Sequence, residues 1–235
     1  MISAGPQRVE AGPHGVTASV RLRRKIDLVI PPFATACTAL VTHPLVAEMW
    51  PEYLVTQHEI IRATVPLTEV AAERARALAE ADPVAAGLAA YLDEHVEEEL
   101  NHDDSLLDDL EVLGVDRATV RDRMPSPTVA RLVGCQYYWI LHHDPIAVLG
   151  YIGLMEGYPP TTELVETLIA RTGFPREAFR TFAEHGELDP HHRDHLDRTI
   201  DALPLAARHE NIIGVSAIAT AELAARSIEE ILPQR

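Results

Sequence analysis

Two stretches of this 235-residue chain concentrate side chains able to hold metal ions. The first is His95, Glu98, Glu99 and His102, in the middle of an apolar stripe formed by Val84, Leu88, Leu92, Leu106, Leu110 and Leu113. On one continuous helix His95 and His102 stand about 20° apart, with Glu98 and Glu99 flanking that line on opposite sides. This pattern puts imidazoles and at least one carboxylate on a face that should be buried. An unpaired buried carboxylate costs several kcal/mol, and a metal ion is one way to offset it. The second stretch is His185-Gly186-Glu187-Leu188-Asp189-Pro190-His191-His192. Helical spacing puts His185, Asp189 and His192 within about 60° on one face. Their N and O donors suit iron, manganese or zinc. Pro190 either sits inside a helix, clashing with the carbonyl of Gly186, or opens a new helix capped by Asp189; both make the segment a weak helix.

Two single carboxylates complete the inventory. Glu156 ends the apolar, glycine-dotted run Leu149–Gly157 and has nothing local to pair with. Glu69 follows Val65 and Leu67 near a helix start, where a carboxylate is favoured electrostatically in any case. Each feature has an ordinary explanation. Asp93, Glu94, Glu97, Asp103 and Asp104 make the first stretch an acidic run of the kind that is usually a solvated face. His191, His192 and His195 read equally as surface histidines, and Glu156 as a helix end facing water. The combination is more specific: carboxylates from several helices, with histidines facing a bundle core, compose a di-iron carboxylate site.

The elements that must position these groups read as helices. Alternating β-branched runs and Asn-Gly or Asp-Gly turns are missing. Helices are expected at about 33–49, 51–64, 67–81, 83–113, 127–143, 146–157, 161–171, 175–187, 190–202 and 206–231. Residues 1–25, with Gly5, Pro6, Gly12, Pro13, Gly15 and the basic run Arg21–Lys25, are expected to form a flexible arm. Residues 26–235 are expected to form a single all-α domain. Apolar residues at 47% and charged residues at 24% mark a folded chain. Twenty Lys and Arg against 36 Asp and Glu leave a charge of −16, which disfavours nucleic acid and anionic membranes as partners. Cys37 and Cys135 form neither a disulfide framework nor a thiolate zinc site, and a reducing cytoplasm is the simplest setting. The longest apolar stretch, Ile26–Val41, is interrupted by Asp27, Pro31 and Pro32 and is too short to span a bilayer.

The motifs His-x-x-Glu-Glu-x-x-His at 95–102, the isolated Glu156 and His-x-x-x-Asp-x-x-His at 185–192 resemble the haem-oxygenase-like di-iron oxidases and oxygenases. The flanking Leu106–Gly114, Tyr137-Tyr138-Trp139 and Pro145–Gly157 are similar to sequences of iron-containing redox enzymes. The resemblance spans roughly residues 35–230. It implies a seven-helix bundle, often dimeric, with a ligand-bearing helix that orders on metal loading, as the weakness around Gly186 and Pro190 would allow. It implies Glu99, His102, Glu156, His185, Asp189 and His192 as ligands, with Glu69 as an additional carboxylate from an early helix. Glu98 competes with Glu99, and Glu59 and Glu73 with Glu69. His95 has no assigned role beyond a supporting partner to the ligands.

The activity implied is that of a non-haem di-iron oxidoreductase. Two Fe ions (Fe2+/Fe3+), with O2 as co-substrate and an external electron donor, would oxidise a small amine or amino-acid-like molecule, N-oxygenation being favoured. Desaturation or oxidative C–C cleavage of an amino or fatty acid is the alternative within that chemistry. A non-catalytic iron-binding or storage bundle is the alternative of another class. A metal-free enzyme of the thiaminase or quinone-cofactor-synthesis type would leave the inward Glu and His residues without partners. Tyr137, Tyr138, Trp139 and Tyr151 stand either at a substrate pocket or in the core.

Overall fold

Start signals written into the chain set many of the helix ends. Thr17, Asp82, Asp116, Ser126 and Thr161 each accept a hydrogen bond from a backbone N–H in the first turn that follows. Those donors have no partner within the helix. Proline stands in the first turn at Pro31, Pro83 and Pro127, where its missing N–H costs nothing. Gly173, at φ 70°, ends another helix in the left-handed conformation.

The computed structural model describes residues 15–233. Among them are α1 (Ala18–Val29), α2 (Pro31–Thr42), α3 (Val46–Ile61), α4 (Thr64–Leu78), α5 (Pro83–Glu99), α6 (His102–Val112), α7 (Arg117–Asp122), α8 (Pro127–His142), α9 (Val148–Met155), α10 (Thr162–Thr172), α11 (Arg180–Ala202) and α12 (Ala207–Glu229). Short 3-10 turns cover Pro145–Ala147 and Arg176–Phe179, and the described residues contain no strand. The all-α class holds. Where the resemblance implies seven helices, the described residues form twelve α segments, several separated by short breaks.

Four departures from the expected elements have local causes. Residues 18–25, expected in the arm, form the first two turns of α1. Leu22 and Ile26, four apart, bury one face of that helix. Ser19 N and Oγ donate to the Asp201 carboxylate at 2.8 Å each, and Lys25 Nζ donates to Glu210 O at 3.0 Å. The rest of the expected arm, residues 1–14, lies outside the described residues. The expected helix 83–113 breaks at Leu100–Asn101, with Asn101 at φ 71°; Asn adopts the left-handed region more readily than most side chains. Pro51 lies inside α3 instead of opening a helix. Pro190 lies inside a continuous α11, so the two helices expected around it are one.

Two clusters of buried apolar side chains form the core. One gathers α4, α5, α8, α9 and α12; the other gathers α2, α3, α6 and α10. Every residue from Val148 to Leu154 in α9 is buried. Gly150 is what lets α9 approach α12: a Cβ there would lie 2.1 Å from Ile213 O. No single helix among the described residues is long and apolar enough to cross a membrane; α1 and α2 reach that measure only together, as a pair bent by 55°.

Candidate metal centre

The centre forms where the end of α5, the start of α6, the end of α9 and the middle of α11 meet. His95, in the last turns of α5, is fully buried. Its Nε2 lies 3.2 Å from Glu156 Oε1, the Glu156 side chain being at the C-cap of α9. That contact is not aligned as a hydrogen bond, so both His95 nitrogens and Glu156 Oε2 are buried without partners. Glu99 closes the group. One ligand atom from each of His95, Glu99 and Glu156 lies within 4.8 Å of the others. An ion with bonds of about 2.0–2.2 Å could draw such a group together through small side-chain movements.

Glu99 also reaches a second set. Its Oε2 is 3.1 Å from His102 Nδ1, and its Oε1 is 3.8 Å from His192 Nδ1. The His102 and His185 rings are 4.9 Å apart, centre to centre. His185 Nδ1 donates to Thr181 O at 2.8 Å, which keeps Nε2 unprotonated in the neutral ring and available as a donor of its lone pair. Asp189 is buried with Oδ1 unpartnered, and His192 Nδ1 is likewise without a hydrogen bond. Because α11 runs unbroken, His185, Asp189 and His192 keep the helical spacing that puts them on one face.

Crowding and dehydration set the charges. Burial raises Glu156 to about 8, an effect His95 opposes and Glu99, Asp189 and Glu98 reinforce. Burial, with the Glu99 charge added, raises Asp189 to about 7. Burial also pushes Glu99 upward, but the hydrogen bond from His102 and the charges of the surrounding imidazoles carry it below its ordinary value. Burial disfavours the charged form of His95, yet Glu156, Glu98 and Glu99 together raise it. His185 and His192 are lowered, chiefly by burial. Three carboxylates and four imidazoles thus crowd one largely buried volume. Ligand-type atoms on His95, Glu156, Asp189 and His192 are left without partners there. This donor set fits bound cations.

Of the residues singled out in the sequence, the structure brings together Glu99, His102, Glu156, His185, Asp189 and His192. Between the two rivals on α5, Glu99 points inward, its side chain only a tenth exposed. Glu98 is a third exposed and faces His95 Nδ1 and His195 Nδ1 at 3.8 Å each. Glu69 is not brought in: it is an exposed residue of α4. The inner stripe of α4 is Leu67, Thr68, Ala71, Ala72 and Ala75, and Glu69 falls one residue off it. Its rivals are elsewhere too. Glu73 is exposed, and Glu59 is buried with Oε1 3.6 Å from Arg123 Nε. His95 is the residue the motif reading left without a role. The available signal was its position one turn before Glu99 on the buried stripe.

The aromatic residues divide. Tyr151 is buried near Glu99 and Glu156, its hydroxyl 3.0 Å from Thr64 Oγ1. Tyr138 is exposed. Trp139 and Cys135 line a surface depression of about 470 Å³ between α8 and α12, which touches no residue of the centre.

The bundle and its buried His/Glu/Asp centre define an all-helical protein of haem-oxygenase-like fold. The chain belongs to the iron-containing redox enzyme family, whose model matches residues 77–225, a stretch that holds every residue of the centre. Similar solved structures include a domain of unknown function with a haem-oxygenase-like fold from Shewanella denitrificans, with a TM-score of 0.72 and 13% identity, covering 90% of this chain and 88% of that one. A TenA homologue from Pseudomonas syringae has a TM-score of 0.66 and 12% identity, covering 98% of each chain. A CADD-like protein of unknown function from Nostoc punctiforme has a TM-score of 0.64 and 18% identity, covering 91% and 96%. At these identities the likeness shows the fold. No curated relative matches the chain.

Proposed function

We propose that this member of the iron-containing redox enzymes is an O2-activating non-haem di-iron oxidase or oxygenase that oxidises a small amine or amino-acid-like substrate, with N-oxygenation the favoured outcome. The observation that carries this reading is Glu99. It touches His102 through one oxygen and faces His192 through the other, while grouping with His95 and Glu156. With Glu99 so placed, two ions would be held by His95, Glu156 and His192 and by His102, His185 and Asp189, with Glu99 within reach of both sets. Two Fe ions, when bound, supply the electrons and open positions at which O2 is activated, with an external donor restoring the reduced state.

The chain's own residues prepare that chemistry. Glu156 and Asp189 hold protons near neutrality and give them up when a cation takes their place. The Thr181 carbonyl fixes the tautomer of His185. The apolar walls of α5 and α9 keep bulk water from His95 and Glu156. The charge of −16 favours a cationic amine over an anionic substrate. The homodimer implied by the resemblance, and the reducing cytoplasmic setting suggested by the two isolated cysteines, belong to the same proposal.

Anaerobic Fe(II) loading followed by O2 tests it. Binding of about two irons per chain and a transient visible absorption band after O2 are expected for a di-iron carboxylate centre. A chain that takes up no stoichiometric iron, or takes it up and ignores O2, refutes the reading.

A further inference from the structure

The helix that carries three of the seven proposed ligands does not cap itself. At the start of α11 the N-cap residue, Phe179, supplies no side-chain hydrogen bond. Pro190 lies within the helix, which removes a main-chain bond to the carbonyl of Gly186. The missing cap comes from another helix. Asp109 of α6, fully buried, accepts a hydrogen bond from Thr181 N at 2.9 Å. Thr181 is the second residue of α11, the position from which a capping side chain ordinarily draws its N–H. The same residue's carbonyl receives His185 Nδ1–H at 2.8 Å. Asp109, Thr181 and His185 therefore form one continuous chain of contacts.

Asp109 also lies seven residues, two turns, after His102, so both occupy about the same face of α6. The His102 and His185 rings are 4.9 Å apart. We infer that Asp109 is a positioning residue of the centre: by capping α11 from α6 it holds the Thr181 peptide that orients His185 against His102. It is not itself one of the proposed ligands. A buried carboxylate supported only by one N–H and an exposed Arg180, whose Nε is 3.8 Å away, is costly to keep. Registering the two ligand-bearing helices is what it does in return.

The inference rests on the di-iron reading for its purpose, but the experiment reads the two apart. The full chain is compared with Asp109→Ala, which removes the acceptor, and Asp109→Asn, which keeps one. In the metal-free proteins, ring 15N shifts report the His185 tautomer. The Nδ1–H form is expected in the wild type and in Asp109→Asn, and a mixture in Asp109→Ala. In anaerobic Fe(II) titrations Asp109→Ala is expected to weaken the His185-side ion by about tenfold or more, as loss of such supporting contacts does at other metal sites. Asp109→Asn should stay near the wild type. Should Asp109→Ala fail to fold, Asp109→Ser, too short to reach Thr181 N–H, takes its place. Retention of the Nδ1–H tautomer in a folded variant lacking the acceptor overturns the inference, even if that variant melts earlier. A wild type that binds no iron overturns the proposed function instead, and the tautomer measurement still decides the role of Asp109.

Discussion

His95 and Glu156 meet at the centre of the bundle, Nε2 to Oε1 at 3.2 Å, one from α5 and one from the end of α9. The two side chains are buried, and neither has a hydrogen bond that would account for its burial. His95 is therefore better placed as a ligand than as a support for one. His95→Ala should lower iron loading from about two to about one per chain, as expected when a di-iron centre loses a ligand on one side. Helicity by circular dichroism should change little. Full loading by elemental analysis in this variant would return His95 to a supporting role.

The raised carboxylates make a pH prediction with a definite sign. Glu156 moves from 4.5 to about 8 on folding and Asp189 from 3.8 to about 7. A raised folded-state value favours the protonated form. The stability it contributes is complete below the ordinary value and is lost as pH rises through the folded one. His95, also raised, works in the same direction. His185 and His192, lowered, weaken the fold only as pH falls toward and below their ordinary value of 6.5. The melting temperature of the metal-free protein should thus fall between about pH 6 and pH 9. Glu156→Gln should flatten that fall. Divalent metal binding should release protons and tighten as pH rises over the same range. Calorimetry in buffers of different ionisation enthalpy counts those protons; metal uptake without proton release would contradict the charge state described.

Glu69 and Glu99 should separate cleanly. Glu69→Ala, on the exposed side of α4, should leave iron loading unchanged. Glu99→Ala, which empties the position shared by both halves, should abolish it. Parallel titrations with Fe(II) decide this, and a loss of iron in Glu69→Ala would require α4 to turn inward in the loaded protein.

The contrast shows which parts of the site were legible from spacing. Helical periodicity was enough to place His185, Asp189 and His192 on one face, because α11 continues through Pro190. It was enough to pick the buried stripe of α5, and with it His95, but it left Glu98 and Glu99 as rivals on either side, which only the burial of Glu99 separates. It failed where one residue decides the outcome. Glu69 sits beside the inner stripe of α4, and a 100° error of facing looks small in a sequence. It failed again at Asn101, whose left-handed backbone ends α5 and puts His102 at the start of a separate helix, α6. A continuous helix also put His95 and His102 side by side, whereas the break leaves His95 beside Glu156 and His102 beside His185. Asp109 was illegible for a different reason. Its partner, Thr181 N–H, is a main-chain group 72 residues away, and no side-chain pattern marks it.

The weakness of α11 can be tested with two substitutions of opposite expected sign. Alanine is favoured over glycine in a helix by about 1 kcal/mol, so propensity alone predicts that Gly186→Ala stabilises. The structure predicts the reverse. A Cβ at 186 would stand 2.5 Å from Pro160 O, a main-chain atom held in the Pro159–Pro160 connection. Relieving such a contact costs about 1–3 kcal/mol, which outweighs the gain in propensity. Gly186→Ala should therefore lower the melting temperature and shift α11, with His185 and Asp189, from its present setting, weakening metal binding. Pro190 is exposed, and replacing it restores a main-chain donor to the carbonyl of Gly186. Pro190→Ala should raise the hydrogen-exchange protection of amides near 190 in the metal-free protein. Protection in the iron-loaded protein should change less, because there the ligands already hold the helix. If Gly186→Ala stabilises instead, the approach of α11 to Pro160 is looser than 2.5 Å implies, and the helix is free to adopt another setting.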